Sequence, residues 1–264
     1  LSFSNTNNLI SKTENIISET VKSQLISDVE VGTFLSGGTD SSLITIFSNK
    51  FVNYKLKTFT LSSGDYNFDE SQKARQISEY IDAENIVCKI NKDDITKAIQ
   101  DIPLIYGEPF GDSSQLPAML ISKFAKNYVK VVLGGDGGDE MFGGYNRYKY
   151  FTNYFPKIKY LPKSLRSAIA KILKNTSPDK MNKFFKKLNF FLPEKNKFYN
   201  YGYLLNKLGG IIANDSFNII FDKFISNNVN IDHLIQGKAN VKDELNINNI
   251  YDVLLHDILN YLPD

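Results

Sequence analysis

Apolar residues in the first half of the chain fall into two alternating rhythms. Ile10, Ile17, Val21 and Leu25 recur at seven- and four-residue intervals, which predicts a helix with one apolar stripe. The largely apolar run Val29 to Leu35 predicts a buried strand, and Leu43-Ile44-Thr45-Ile46-Phe47 continues beyond it as a helix would. Lys57 to Ser62 predicts a second strand, broken by Gly64-Asp65. Asp69 to Asp82 has helical spacing, with Asp69 and Glu70 in a first turn where negative charge suits the dipole. A third strand is predicted over Asn85 to Ile90, helices over Lys92 to Ile105 and Ser113 to Lys126, and a fourth strand over Val129 to Leu133.

Strands separated by helices of this length predict a parallel sheet with right-handed crossovers, an α/β fold. From about Tyr150 glycine thins out, aromatics and lysines rise, and the alternation stops. A core over 1–150 and a mostly helical extension over 151–264 are therefore expected. In parallel sheets ligands bind beyond the carboxyl ends of the strands. Two glycine-rich segments stand at those ends, Ser36-Gly37-Gly38-Thr39-Asp40-Ser41-Ser42 and Gly134-Gly135-Asp136-Gly137-Gly138-Asp139-Glu140.

The first segment joins a strand to a helix start, which makes an anion site from backbone N–H groups and the helix dipole. Asp40 inside such a site would repel a phosphate unless a divalent cation lies between them, which points to Mg²⁺ with a polyphosphate. The plainer alternative is a flexible turn with Asp40 as a helix N-cap. No Gly-Lys-Ser/Thr follows, so the loop is not a Walker A motif and lacks that motif's phosphate lysine. In the second segment Asp139 is placed to share a metal with Asp40, against the alternative of a solvated acidic turn.

Composition narrows the partners. With 31 basic and 29 acidic residues the net charge of +2 argues against a general nucleic-acid surface. The lysines of Lys157 to Lys197 read as a solvated helix face. No apolar stretch approaches the ~20 residues needed to span a bilayer, so no membrane partner is expected. The single cysteine, Cys88, lies in the strand-like run Ile86-Val87-Cys88, reads as buried, and fits a reducing, cytoplasmic compartment. A start at Leu1 and an end at Asp264 without a polar tail suggest a piece of a longer protein, and a homodimer is left open.

The first loop resembles the PP-loop of the ATP pyrophosphatases. Three segments together resemble the synthetase half of the glutamine-dependent asparagine synthetases: Val31 to Ser42, Tyr106 to Gln115, and Gly135 to Tyr145. That resemblance implies a Rossmann-like PP-loop core of the adenine-nucleotide α-hydrolase type with a helical C-terminal extension. It implies ATP and Mg²⁺, and activation of the aspartate side chain as an acyl-adenylate that ammonia converts to an amide, with AMP and pyrophosphate released. By match, Ser36, Gly37, Gly38, Ser41 and Ser42 hold the pyrophosphate, and Asp40 with Asp139 holds Mg²⁺. Phe34, Leu61, Gly134 and Gly135 border the adenosine through their backbones. Asp136 falls at a catalytic acidic position, often Glu, and Asp112, Ser113 and Ser114 fall in the segment facing the acid substrate.

The chain also departs from the family. Nothing matches the glutaminase domain with its N-terminal cysteine, so ammonia would come from a domain absent from this chain. Lysines and arginines that the family carries further on lie beyond Asp264. Gly107 and Gly134 replace an acidic residue and a serine common there, which leaves open a carboxylic acid other than aspartate: a sugar acid, a peptide or a β-lactam precursor. A nucleotide-binding module without catalysis is the remaining alternative. Arg147, behind the second loop, reads equally as a phosphate ligand or a helix-face residue. His233 and His256 read as surface or helix-end residues, and the Phe184 to Tyr199 aromatics as core or interface.

Overall fold

Four parallel strands form one sheet in the computed structural model: β1 (Val31–Phe34), β2 (Lys57–Ser62), β3 (Glu84–Lys89) and β4 (Val131–Leu133), in the order β3-β2-β1-β4. The structure describes residues 6–62, 70–107, 112, 114–149, 152–153, 155–189, 201–216, 218–221 and 249–262. They belong to two units, Leu1–Asp136 and Gly137–Asp264. The expected α/β parallel sheet is the first of these. Its order reverses at β1, which pairs with β2 on one side and β4 on the other. At such a reversal neighbouring crossovers leave to opposite faces and a crevice opens at the carboxyl ends.

The helices of this unit are α1 (Thr6–Gln24), α2 (Thr39–Phe51), α3 (Ser71–Tyr80), α4 (Lys92–Tyr106) and α5 (Gln115–Ala125). β2 lies inside the sheet, and Thr58, Phe59 and Thr60 are buried, as expected for a parallel strand covered on both faces. Buried threonines need partners. Asn85 Nδ2 donates to the hydroxyls of Thr58 and Thr60, both at 2.9 Å, and Thr60 donates to the Leu35 carbonyl at 2.7 Å. Thr45 of α2 donates to Thr33 of β1 at 3.0 Å, tying that helix to its strand. Helix α4 starts with a capping box between Asn91 and Asp94 and ends at Gly107 in the left-handed region.

The predicted elements all appear, with shifted ends that have physical causes. Val129 is not in β4: its N–H bonds to the Ala125 carbonyl in the turn closing α5, and it is buried with Phe59. Its apolar character reflects burial under the sheet, not strand membership. Helix α3 stops at Tyr80, because Asp82 takes a positive φ of 55° in the turn to β3. Glu70 caps that helix, while Asp69 lies outside the described residues. Cys88 is buried as expected, and burial pushes its thiol pKa up, away from nucleophile chemistry.

The described residues of the second unit form helices joined by turns, with no strand among them. The unit contains α6 (Gly138–Phe142), α7 (Asn146–Lys149), α8 (Phe155–Lys159), α9 (Lys163–Asn175), α10 (Pro178–Leu188), α11 (Tyr201–Ile211) and α12 (Ile250–His256), with a π-turn over Asp257–Tyr261. Tyr148, Ile211, Ile220, Phe221 and Val253 form its core. Asp257, 2% exposed, is the polar centre of that core. One of its carboxylate oxygens accepts from Arg147 Nη2 at 2.8 Å, Arg147 Nε at 3.2 Å and the Tyr148 hydroxyl at 2.6 Å. Burial opposes the Arg147 charge, but Asp257 and Tyr148 outweigh it and hold the guanidinium above its ordinary pKa. Burial, then the Asp257 hydrogen bond, raises the Tyr148 hydroxyl well above its usual range. Arg166, 4% exposed, is paired with Asp215 and donates to the Ile212 and Asn214 carbonyls. Among the described residues no helix is long and apolar enough to cross a membrane.

Two stability predictions follow from this packing. A Cβ on Gly32 of β1 would stand 2.7 Å from the Phe59 ring and 3.0 Å from the Lys57 carbonyl. Gly32→Val is expected to destabilise the sheet by about 1–3 kcal/mol or more, read as a lower urea midpoint. Asp257→Asn leaves Arg147 without its anion and is expected to cost about 3–5 kcal/mol. Thermal melts of the wild type and the variant that coincide would remove Asp257 from the centre of its unit.

Candidate functional site

Backbone geometry makes the first glycine loop. Leu35 donates its N–H to the Phe59 carbonyl at 2.9 Å, so the chain leaves β1 still held to β2. Gly37 then takes φ of 81°, a value that favours glycine, and reverses the direction of the chain. Gly38, extended at φ −73° and ψ 165°, is the N-cap of α2 and makes no side-chain cap bond. Asp40 is therefore not the cap, which corrects that alternative; it sits in the first turn of α2. A glycine cap leaves the first N–H groups of the helix without a capping side chain, a feature of anion-binding helix starts.

The serines brace this turn. Ser41 Oγ lies 3.0 Å from Ser36 Oγ and accepts from the Ser36 N–H at 3.2 Å. The Gly38 N–H approaches Ser36 Oγ at 3.3 Å, and Ser42 donates to the Gly38 carbonyl. Five of the expected loop residues, Ser36, Gly37, Gly38, Ser41 and Ser42, thus form one internally bonded turn. Asp40 stands on the same turn and is half-buried.

The second glycine loop starts against the first. A Cβ on Gly135 would stand 2.8 Å from the Ser41 nitrogen and 3.1 Å from both the Asp40 carbonyl carbon and the Asp40 Cβ. Only a glycine permits this approach, and the β1–β4 pairing delivers it. Gly134 serves Asp136 in the same way: a Cβ there would come 2.7 Å from an Asp136 carboxylate oxygen. A serine at this position would push against that carboxylate. Asp136 itself is exposed.

Phe34 ends β1, and Leu61 lies on β2 two residues beyond the Phe34 partner, Phe59. The Phe34 ring packs with the Phe59 cluster. Asp112 accepts from the Ser114 N–H at 2.8 Å in a turn at the head of α5. That turn is at the opposite end of α5 from the Lys126–Lys130 connection into β4. Ser113 lies outside the described residues.

Asp139 belongs to the second unit, in the first turn of α6. Its carbonyl accepts from the Gly143 and Gly144 N–H groups at 2.9 and 3.0 Å. Its carboxylate lies against Gly144, where any Cβ would displace it. The next residue, Glu140, is buried and accepts from the Tyr145 hydroxyl at 2.6 Å. Arg147 is held by Asp257 in an ion pair that neither of its two readings, phosphate ligand or helix-face residue, included. His256 ends α12, as a helix-end histidine should, and His233 lies outside the described residues.

The donors fit a hard cation. Asp40, the carboxylate expected to hold Mg²⁺ with Asp139, stands on the same turn as the hydroxyls of Ser36, Ser41 and Ser42, and all of these are oxygen donors. Among the described residues no three His, Cys, Asp or Glu side chains converge on one point. A closed protein cage is thus absent from that set, and one or two carboxylates completed by ligand phosphates is the arrangement Mg²⁺ favours.

Comparison with known proteins agrees with these motifs. The chain is 36% identical over 166 residues to a putative glutamine-hydrolyzing asparagine synthetase 2 of Methanocaldococcus jannaschii, covering 62% of this chain and 32% of that protein. It is 35% identical over 141 residues to asparagine synthetase 1 of Bacillus subtilis, covering 53% and 22%. A putative asparagine synthetase of Mycobacterium tuberculosis gives 35% over 159 residues, covering 60% and 24%. The match thus spans only 22% to 32% of each of these relatives. Among solved structures, an NH3-dependent NAD synthetase from Campylobacter jejuni overlaps with TM-score 0.37 at 13% identity, covering 83% of this chain and 98% of that one. The model of the asparagine synthase family matches residues 12–208, and by that match over most of its length the chain belongs to this family.

Proposed function

We propose that this chain is the ATP-using synthetase part of an asparagine-synthetase-type amidotransferase. The observation that carries the reading is the serine-braced, glycine-capped turn at the start of α2, closed on one side by Gly135. Family membership and the names of the relatives support it. In this reading residues 1–150 are the synthetase core and 151–264 its helical extension. The substrates are ATP, the side-chain carboxylate of aspartate, and ammonia from a glutaminase domain outside this chain.

The turn acts by positioning. Its N–H groups and serine hydroxyls receive the β,γ-phosphates, where charge accumulates as pyrophosphate leaves. They are already braced, so little reorganisation is needed when that charge develops. Phe34, Leu61, Gly134 and Gly135 offer backbone groups to the adenosine. Asp40 and Asp139 are the residues assigned to hold Mg²⁺, which when bound would neutralise phosphate charge. The carboxylate attacks the α-phosphate to give an acyl-adenylate and pyrophosphate. Ammonia then displaces AMP, and Asp136 accepts the proton lost by the attacking amine. Asp112, Ser113 and Ser114 are the segment assigned to the acid substrate.

The test uses the intact protein. Mg-ATP, ammonium or glutamine, and a panel of carboxylic acids are supplied, and pyrophosphate release is measured. Release with aspartate is expected, release only with another acid moves the assignment to that acid, and none with any acid overturns the ligase reading. Asp40→Asn is expected to weaken Mg-ATP binding by at least about tenfold, the loss of ~1.4 kcal/mol, with an unchanged thermal melt. Unaltered affinity in that variant would remove Asp40 from the metal site.

A further inference from the structure

The first glycine loop carries no lysine of its own, yet a lysine from another helix is seated on it. A Cβ placed on Gly37 would meet the Lys73 Cβ at 2.7 Å and the Ala74 nitrogen at 3.1 Å. The first turn of α3 therefore abuts the loop at its tightest point, the residue with φ of 81°. The glycine at position 37 answers to two demands, its own backbone conformation and the presence of Lys73 beside it.

Three features of Lys73 do not suit a structural role. It stands in the first turn of a helix, the end where a cation opposes the dipole, and the one acid at that helix start, the N-cap Glu70, makes no ion pair with it. Its side chain is exposed, although it is rooted against a buried neighbour, Ala74. Among the described residues no ion pair or hydrogen bond engages it. A positive charge at this helix start, without a partner among the described residues, is one that a ligand anion would stabilise.

We infer that Lys73 supplies the phosphate-binding cation that the loop lacks, contacting the β,γ-phosphates of the bound nucleotide. Its flexible four-carbon stem starts beside Gly37, and an ammonium is a point charge well suited to phosphate oxygens. The start of α2, with its glycine cap, presents N–H groups, and Lys73, rooted beside Gly37, adds a full charge. The arrangement replaces the lysine of a Walker A loop with one delivered by the helix after β2. Lys73 thereby selects for the polyphosphate end of the ligand and leaves the nucleoside end untouched. This inference rests on the proposed ATP site.

The test measures binding of Mg-ATP and of AMP to the intact protein and to its Lys73→Met and Lys73→Arg variants. Lys73→Met is expected to lose about tenfold or more in Mg-ATP affinity and less than about twofold for AMP. Lys73→Arg, which keeps the charge, is expected to stay within about threefold of wild type for Mg-ATP. Wild-type Mg-ATP affinity in Lys73→Met overturns the role of Lys73 alone. Equal losses for Mg-ATP and AMP also overturn it, because they mark a disturbed loop and not a lost phosphate contact. Failure of the wild-type protein to bind Mg-ATP overturns the nucleotide site and this inference together.

Discussion

Parallel pairing of β1 with β4 is the constraint on which the first unit depends. The register from Val31↔Val131 to Thr33↔Leu133 brings two segments nearly a hundred residues apart in sequence to the same edge of the sheet. β1 ends three residues before Gly37 and β4 immediately before Gly134, so both segments turn close to the sheet edge. Gly135 then comes to rest on the peptide between Asp40 and Ser41, closer than any side chain would allow. A slip of one residue in that register would rotate the faces of β4 and separate the two turns. The site is thus a consequence of strand order, and the loops supply only its chemistry.

Within that frame the serines and glycines divide the labour. Gly37 and Gly38 give the turn its shape, one by a positive φ and the other by leaving the helix start without a capping side chain. Ser36, Ser41 and Ser42 hold the shape by bonding to each other and to the Gly38 carbonyl. A turn braced in this way is rigid before any ligand arrives, which reduces the ordering cost of binding. The same economy is visible at Gly134, Gly135 and Gly144, where the missing side chain makes room for a carboxylate or for a neighbouring backbone.

The second unit relies on a different device. Its core is aromatic and aliphatic, but Asp257 stands within it and gathers Arg147 and Tyr148. A carboxylate so buried is tolerable only because three donors satisfy it. This network joins α7 to the turn after α12, more than a hundred residues further along the chain. It also explains why Arg147, a plausible phosphate ligand on sequence grounds, is spoken for: its charge is already neutralised inside its own unit.

Much of this was legible in the order of residues. Strand and helix types, the parallel sheet, the buried cysteine and the two glycine turns follow from local periodicity and from backbone preferences, which act over a few residues. The three motifs that mark the family are also local strings. Element ends were less legible, because Val129 is apolar for burial in a turn and Asp82 stops a helix through a left-handed backbone that sequence does not announce. Contacts between distant segments were not legible at all. The sheet order, the seat of Gly135 on α2, the capture of Arg147 by Asp257 and the placement of Lys73 beside Gly37 were decided by tertiary structure alone. Such pairings depend on which elements pack together, and no short-range pattern along the chain encodes that choice.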